Sequence, residues 1–370
     1  MLNDKNKGED IMATHSHSPL PIWSVILPLA AWAIYFVGVK ENIWLQLGGG
    51  ALLIGSVLSA VHHAEVVAHK VGEPFGTIIL ALAITIIEVA LIVSLMVAGG
   101  DNATYLARDT VFAAIMLILN GILGGCLLIG GIKHHVQFFH KKSVSTALVT
   151  LVSILVLTMI LPNFTTSSAG GTYTSSQLVF VAIASLVLYF SFIMMQTVRH
   201  RDYFLADDDN PNHHAEPPST KVALVSLLLL VICLGVVVML AKGLSPAIEA
   251  MVVAAGAPLS LVGVIIAAVV LMPEGLAALT AASRNRLQTS VNLALGSALA
   301  SIGLTIPSVV IVCLLFDINM VLGLDWKSMV LLALSAFVVM VSLNHGKSNM
   351  LYGVVLLVNM AAYVFTVIVP

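Results

Sequence analysis

Charge is what this sequence has least of. Only 9% of its 370 residues are Asp, Glu, Lys or Arg, against roughly 25% in a soluble globular chain. That is too little to cover a water-facing surface, which excludes a soluble enzyme, a disordered protein and a nucleic-acid binder. Neither sign dominates: 16 basic and 18 acidic residues leave a net charge of −2, so no polyanion partner is indicated. Cysteine is scarce as well. Cys126, Cys233 and Cys313 lie singly in apolar runs, which supports neither a disulfide framework nor a zinc site. No GxxxxGK[ST] stretch is present, so ATP does not drive the protein directly. No HExxH motif and no pair of intraspan aspartates occurs, so intramembrane proteolysis has no visible centre. Residues 1–20 are polar and lack the apolar core of a secretory leader. The first apolar run is therefore expected to be a retained helix.

Apolar residues fill the space that charge leaves. They make up 59% of the chain, and the mean hydropathy is +1.05. The expected class is an all-α polytopic membrane protein. A bilayer core about 30 Å thick needs roughly 20 apolar residues per helix. Eleven runs answer: 23–39, 44–61, 76–98, 110–132, 144–161, 177–198, 222–241, 259–282, 289–313, 328–343 and 349–369. Trp23, Trp44 and Trp326 sit at run ends, as interfacial anchors do. Trp32 does not, and the sequence offers no reason for it.

Basic residues in alternate connections give the orientation. Lys5, Lys7, Lys70, Lys133, Lys141, Lys142, Arg199, Arg201, Lys221, Arg284, Arg286 and Lys347 fall on the side of the N-terminus. Lys40, Arg108, Lys242 and Lys327 fall on the other. This asymmetry puts the N-terminus in the cytoplasm and, with eleven spans, the C-terminus outside. The expected location is the cytoplasmic (inner) membrane. The expected segments are a tail over 1–22, a leading helix over 23–43, five helices over 44–198, a linker over 199–220 and five helices over 221–370. The linker carries Asp207-Asp208-Asp209, His213-His214 and Pro217-Pro218. It reads as a solvated tether, with cation sensing as the other reading.

A repeat lies on either side of that linker. The first copy has Glu65, then Gly72-Glu73-Pro74, then a helix carrying Glu88. The second has Glu249, then Gly256-Ala257-Pro258, then a helix carrying Glu274. Glu88 lies in the third span and Glu274 in the eighth. Five spans apart, the two copies enter the membrane from opposite sides. Inverted repeats of this kind mark secondary transporters.

Both glutamates are expected near the midplane, where a charge costs on the order of 2.5–3.5 kcal/mol even on the lenient insertion scale. A helix with only a structural task avoids that cost. Burial and a neighbouring like charge disfavour an ionised carboxylate, and a bound cation favours it. Proton and metal then compete for the same oxygens, the minimum mechanism of cation/proton antiport. Two carboxylates suit a hard cation with oxygen ligands. Extra oxygens are available from the Thr85 hydroxyl and from the Val269 carbonyl, which loses its helical donor because Pro273 has no N–H. Span 4 offers Asn120, and span 9 offers Asn292, Gly296-Ser297, Ser301 and Thr305. The glycines of both spans, Gly296 included, read more simply as close helix packing, and for Asn120 and Ser297 packing and lining the site are equal readings. Glu65, Glu73, His62, His63 and His69 lie where the second run gives way to the third. Proton access and an ordinary interfacial loop are equal readings there, since His titrates near neutral pH.

At these residues the sequence resembles the Ca²⁺/cation antiporter superfamily, in its cation/proton exchanger branch. HAEVVAHKVGEPFGTIILALAITIIEVALI is similar to the first repeat motif of that branch. PEGLAALTAASRNRLQTSVNLALGSALASIGLTIP is similar to the second. The resemblance implies one leading helix followed by two inverted five-helix repeats, with cation binding at Glu88 and Glu274 and a motif Gly-Ser pair at Gly296-Ser297. Where the usual motif reads Gly-Asn-x-x-Glu, this chain has Ile84-Thr85 and Val270-Leu271. Two amide oxygens are thus missing, which leaves room for Na⁺ or K⁺ beside Ca²⁺. The expected function is secondary active export of such cations in exchange for H⁺. No enzymatic activity and no cofactor beyond the transported ions is expected. The alternative is a cation channel without proton coupling. The expected partners are inorganic cations, protons and the bilayer, and the oligomeric state is open.

Overall fold

The computed structural model describes residues 20–39, 42–72, 75–99, 104–204, 218–258, 260–316 and 318–369. Glu73 and most of the acidic linker, residues 205–217, lie outside the described residues. The described residues form an all-α fold. Its helices are α1 (Ile22–Val37), α2 (Ile43–Val71), α3 (Phe75–Gly99), α4 (Leu106–His134), α5 (Lys141–Phe164) and α6 (Ser175–Arg199). After the linker come α7 (Thr220–Ala254), α8 (Ser260–Val270), α9 (Met272–Ser283), α10 (Leu287–Phe316), α11 (Trp326–Leu343) and α12 (Met350–Ile368). Among the described residues, eight helices are long and apolar enough to cross a membrane. They are nine if α8 and α9, bent by 56° at their junction, make one span. The chain is polytopic on this count. The helix α1 has 16 residues and falls short of that length.

Local chemistry sets the ends of the helices. Asn42, Ser219 and Asn349 cap α2, α7 and α12 by accepting from the backbone N–H of Trp44, Val222 and Leu351. Such a cap satisfies one of the orphan donors of the first turn. Thr174 and Gln177 form a reciprocal capping box on α6. Gly72 and Gly256 follow α2 and α7 with φ of 78° and 72°, a conformation that glycine adopts at no steric cost. The break between α8 and α9 falls at Leu271, two residues before Pro273. Proline cannot donate to the preceding turn, so the helix cannot run straight through.

Two helices outrun the sequence expectation. The second run was bounded at 61, yet α2 continues to Val71. The residues expected to form a mouth there, His62, His63, Glu65 and His69, are helical. The seventh run was bounded at 241, yet α7 continues through Pro246 and Glu249 to Ala254. In both cases polar residues lowered the local hydropathy, but helical hydrogen bonding does not require an apolar side chain.

The core falls into two apolar clusters. One gathers α1, α2 and α7 with a face of α3. The other gathers α4–α6 and α8–α12. Trp32 finds its explanation in the first cluster. Its Nε1 donates to the Ile232 carbonyl of α7 at 3.2 Å, and its ring covers Gly235. In the second cluster α4 meets α12 at two glycines. A Cβ on Gly353 would stand 2.5 Å from the Leu128 nitrogen and 2.7 Å from the Gly124 carbonyl oxygen. The expected result of Gly353→Val is therefore severe loss of folded protein, since backbone cannot yield as a side chain can. Overpacking typically costs about 1–3 kcal/mol, and more against backbone. Gly121→Ala meets only the flexible Met360 side chain at 3.9 Å and should leave folded yield unchanged. Size-exclusion profiles in detergent check both.

Candidate functional site

Glu88 is carried by α3 and is 5% exposed. The hydroxyl of Ser301 donates to its Oε1 at 2.7 Å, and that of Thr305 to its Oε2 at 3.1 Å. Both donors lie one turn apart on α10, so a single helix face addresses both carboxylate oxygens. The buried Thr85 sits one turn before Glu88 on α3.

Glu274 stands in the first turn of α9, just past the break. Both its carboxylate oxygens are buried, and neither has a hydrogen-bond partner. That is unusual, because buried polar groups in native proteins are nearly always paired. The two glutamates face one cavity of about 160 Å³. Its walls are Ile84 and Thr85 from α3, Tyr189, Ile193 and Gln196 from α6, Leu271, and the stretch of α10 that carries Asn292, Gly296, Ser297 and Ser301. A Cβ added to Gly296 would meet nothing within 4 Å, so the glycine opens the cavity there. Beyond Glu88, toward Leu91 and Thr110, lies an apolar pocket of only about 10 Å³, the size of one probe sphere. Glu88 thus has a roomy side, where a few polar side chains stand among apolar ones, and a closed apolar side.

The structure brings together Glu88, Glu274, Thr85, Gly296 and Ser297 of the sequence-expected residues. It places others elsewhere. Asn120 lies in a widened, π-type turn of α4 (Leu117–Ile122). Its Nδ2 donates to Ser335 Oγ of α11 at 2.9 Å, and it does not line the cavity. Val269, expected to offer its carbonyl, is not among the residues lining this cavity and lies at a separate apolar one with Leu53, Val57, Val237 and Val262. Glu65 is exposed on α2 and does not line the cavity.

His63 is fully buried, and its Nε2 lies 3.1 Å from the Ser24 carbonyl of α1. A carbonyl only accepts, so Nε2 carries the proton. Ser59, one turn earlier, donates to the same oxygen. That carbonyl is open because Pro28, four residues on, has no N–H to offer it. This geometry ties α1 to α2 and gives His63 an anchoring task. His62 packs its ring against Trp23, centroids 5.5 Å apart.

Of three further contributors, the sequence offers Ser301 and Thr305 only among the polar positions of span 9, and Gln196 not at all. The spacing of four between Ser301 and Thr305 was the available signal. Gln196, close to the end of a long apolar run, is the only amide in the interior of that run, Gln177 standing at its first position. Among the described residues, no group of three or more His, Cys, Asp or Glu side chains is arranged to hold a metal ion. Two carboxylates with neutral oxygens are what the cavity offers.

The comparisons with known proteins agree with this architecture. The y4hA protein of Sinorhizobium fredii is 42% identical over 95% of this chain and 97% of its own length. The sodium-potassium/proton antiporter ChaA of Escherichia coli is 32% identical, covering 98% of this chain and 99% of its own. Among solved structures, the Ca²⁺/H⁺ antiporter protein YfkE superposes with a TM-score of 0.70 at 17% identity, over 94% of this chain and 99% of that one, which is a likeness of fold. The family model described as sodium/calcium exchanger protein matches residues 41–198 and 225–369, on both sides of the acidic linker. With that match spanning both halves and a relative of this identity along almost the whole length, the chain belongs to the sodium/calcium exchanger protein family.

Proposed function

We propose that the protein is a secondary active antiporter of the cytoplasmic membrane, exporting Na⁺, K⁺ or Ca²⁺ in exchange for entering protons. One observation carries the reading: Glu274 presents two buried carboxylate oxygens with no protein partner to a cavity it shares with Glu88. Such a group is stable in only two conditions, protonated or bound to a cation, because a bare buried charge is costly. The two occupants therefore exclude each other, which is the coupling an antiporter needs. The monovalent ions follow the similarity to the sodium-potassium/proton antiporter, and calcium follows the family description. Glu88, with two hydroxyls already on its oxygens, is the second carboxylate, and Thr85 and Ser297 add neutral oxygens.

In this reading the chain crosses the membrane eleven times, with α1 leading two inverted five-helix halves over 44–198 and 221–370. Supporting it, the long helices α2 and α7 both end at a left-handed glycine two residues before a proline. The packing is also crosswise: α3 lies against α10, and the broken α8–α9 lies along α4. In the orientation that the lysine and arginine asymmetry gives, the C-terminal end of α6 and the N-terminal end of α10, which border the cavity at Gln196 and Asn292, face the cytoplasm. Glu65 then stands outside Glu274 as a relay for protons.

The test is a pH-gradient assay in everted vesicles across a series of Na⁺, K⁺ and Ca²⁺. The expected result is collapse of the acid-inside gradient on addition of a transported cation, with saturation and with competition between cation and proton. Cation flux with no pH change would establish the rival, a channel.

A further inference from the structure

Gln196 is a polar side chain in the cavity with no task assigned so far. It lies in the last turns of α6, within a widened, π-type turn (Met195–Arg199). Such turns concentrate at functional sites, since they shift the side-chain register of a helix by one residue. Its amide lines the cavity and forms no hydrogen bond among the described residues. The cavity's other amide is committed: Asn292 donates to the Phe204 carbonyl at 2.7 Å and accepts from Gln288 at 2.8 Å.

The register of α6 on α10 sets the level of Gln196. Tyr189 packs on Gly303, where an added Cβ would come within 2.9 Å of the tyrosine Cβ. The two helices run in opposite directions past this contact. Seven residues on along α6 and seven back along α10, about 10 Å at the helical rise, bring Gln196 level with Gly296. That is the position where a Cβ meets only open space. The α9–α10 hairpin locates Glu274 in the same zone. Ser290 Oγ donates to the Ala278 carbonyl at 2.7 Å, so Glu274, one turn before Ala278, is level with Ala294. The unpaired carboxylate and the unpaired amide thus border the same cavity at similar levels, from two helices that both pack on α10.

We infer that Gln196 supplies an amide oxygen to the cation held by Glu274, and that it helps set which cation the protein prefers. The inference rests on the antiport reading. Its chemistry is that of hard cations. Ca²⁺ takes six to eight oxygens, and two glutamates provide at most four. A neutral carbonyl oxygen adds coordination without adding charge. The net charge of the site stays low enough for a monovalent ion to leave as readily as it enters. A third carboxylate at the same place would raise the charge count, which is how oxygen sites are tuned toward divalent ions.

Two variants of Gln196 test this in the vesicle assay, beside Glu274→Gln. Gln196→Met keeps length and shape and removes the amide. Its KM for the preferred monovalent cation should rise roughly tenfold, the scale of losing one interaction with a charged group, with the saturated rate within about twofold of wild type. Gln196→Glu should raise the Ca²⁺/Na⁺ ratio of kcat/KM roughly tenfold on the same scale. Wild-type KM in Gln196→Met, or a fall in saturated rate with KM unchanged, overturns the inference, and so does an unchanged ion ratio in Gln196→Glu. If Gln196→Met fails to insert, the ion ratio of Gln196→Glu alone decides. Retained exchange in Glu274→Gln overturns the antiport reading itself. Loss there beside unchanged Gln196 variants overturns the ligand role of Gln196 only.

Discussion

Replacing Glu274 by Gln should abolish coupled exchange while leaving the protein folded and inserted. Glutamine matches the shape of the carboxylate but can neither release a proton nor carry the charge that holds a cation. The expected fall in cation-dependent proton movement is two orders of magnitude or more. This is the scale of removing one partner from a buried charge interaction, about 3–5 kcal/mol. Glu88→Gln should fail to the same extent for the same reason. Its fold should survive, because the Ser301 and Thr305 hydroxyls that now donate to Glu88 can rotate to meet an amide. Gradient collapse in everted vesicles, normalised to inserted protein, measures both. Wild-type exchange by either variant would remove the carboxylates from the mechanism.

The same two positions should part company in stability. Glu88→Leu strips two buried hydroxyls of their acceptor. An unmade buried hydrogen bond costs about 1–3 kcal/mol, although each hydroxyl can fall back on the carbonyl four residues earlier, as Ser308 does with Leu304. A net loss of about 1–3 kcal/mol is expected, read as a clear drop in the detergent Tm. Glu274→Leu removes a carboxyl that has no partner to lose. Exchanging an unsatisfied buried polar group for an apolar one is neutral or stabilising, so its Tm should match or exceed that of wild type. A Glu274→Leu protein as unstable as Glu88→Leu would mean that Glu274 is paired after all. The contrast separates a group kept for function from a group that also holds helices together, since marginal stability leaves room for sites that oppose it.

Much of this molecule is written in its residue order. Scarce charge and long apolar runs dictate a polytopic helical protein, because backbone polar groups in lipid must be satisfied within helices or closed barrels. Glu88 and Glu274 stand out for the cost of placing an acid inside a span. Hydropathy alone ends the second and seventh runs about ten residues short of where α2 and α7 stop, whereas the proline at 273 marks the break beside Glu274. These are local properties, fixed by a residue and its chain neighbours.

Tertiary structure decided what each helix face meets. Asn120 and Ser301 look alike as polar residues in apolar runs, yet one reaches Ser335 and the other Glu88. Gln196 and Asn292 are both amides at the cavity, yet Asn292 alone is tied down by neighbours, one of them Phe204, 88 positions away. His63, readable as a proton gate, is bound to a carbonyl that Pro28 leaves open on another helix. Sequence cannot supply these pairings, and the reason is the solvent. Lipid tails are as apolar as a protein core, so a membrane helix needs no polar face to mark its outside. Hydrophobic periodicity therefore says that a segment spans without saying which way it is turned. Only the packing of α3, α6, α9 and α10 around one cavity makes that choice.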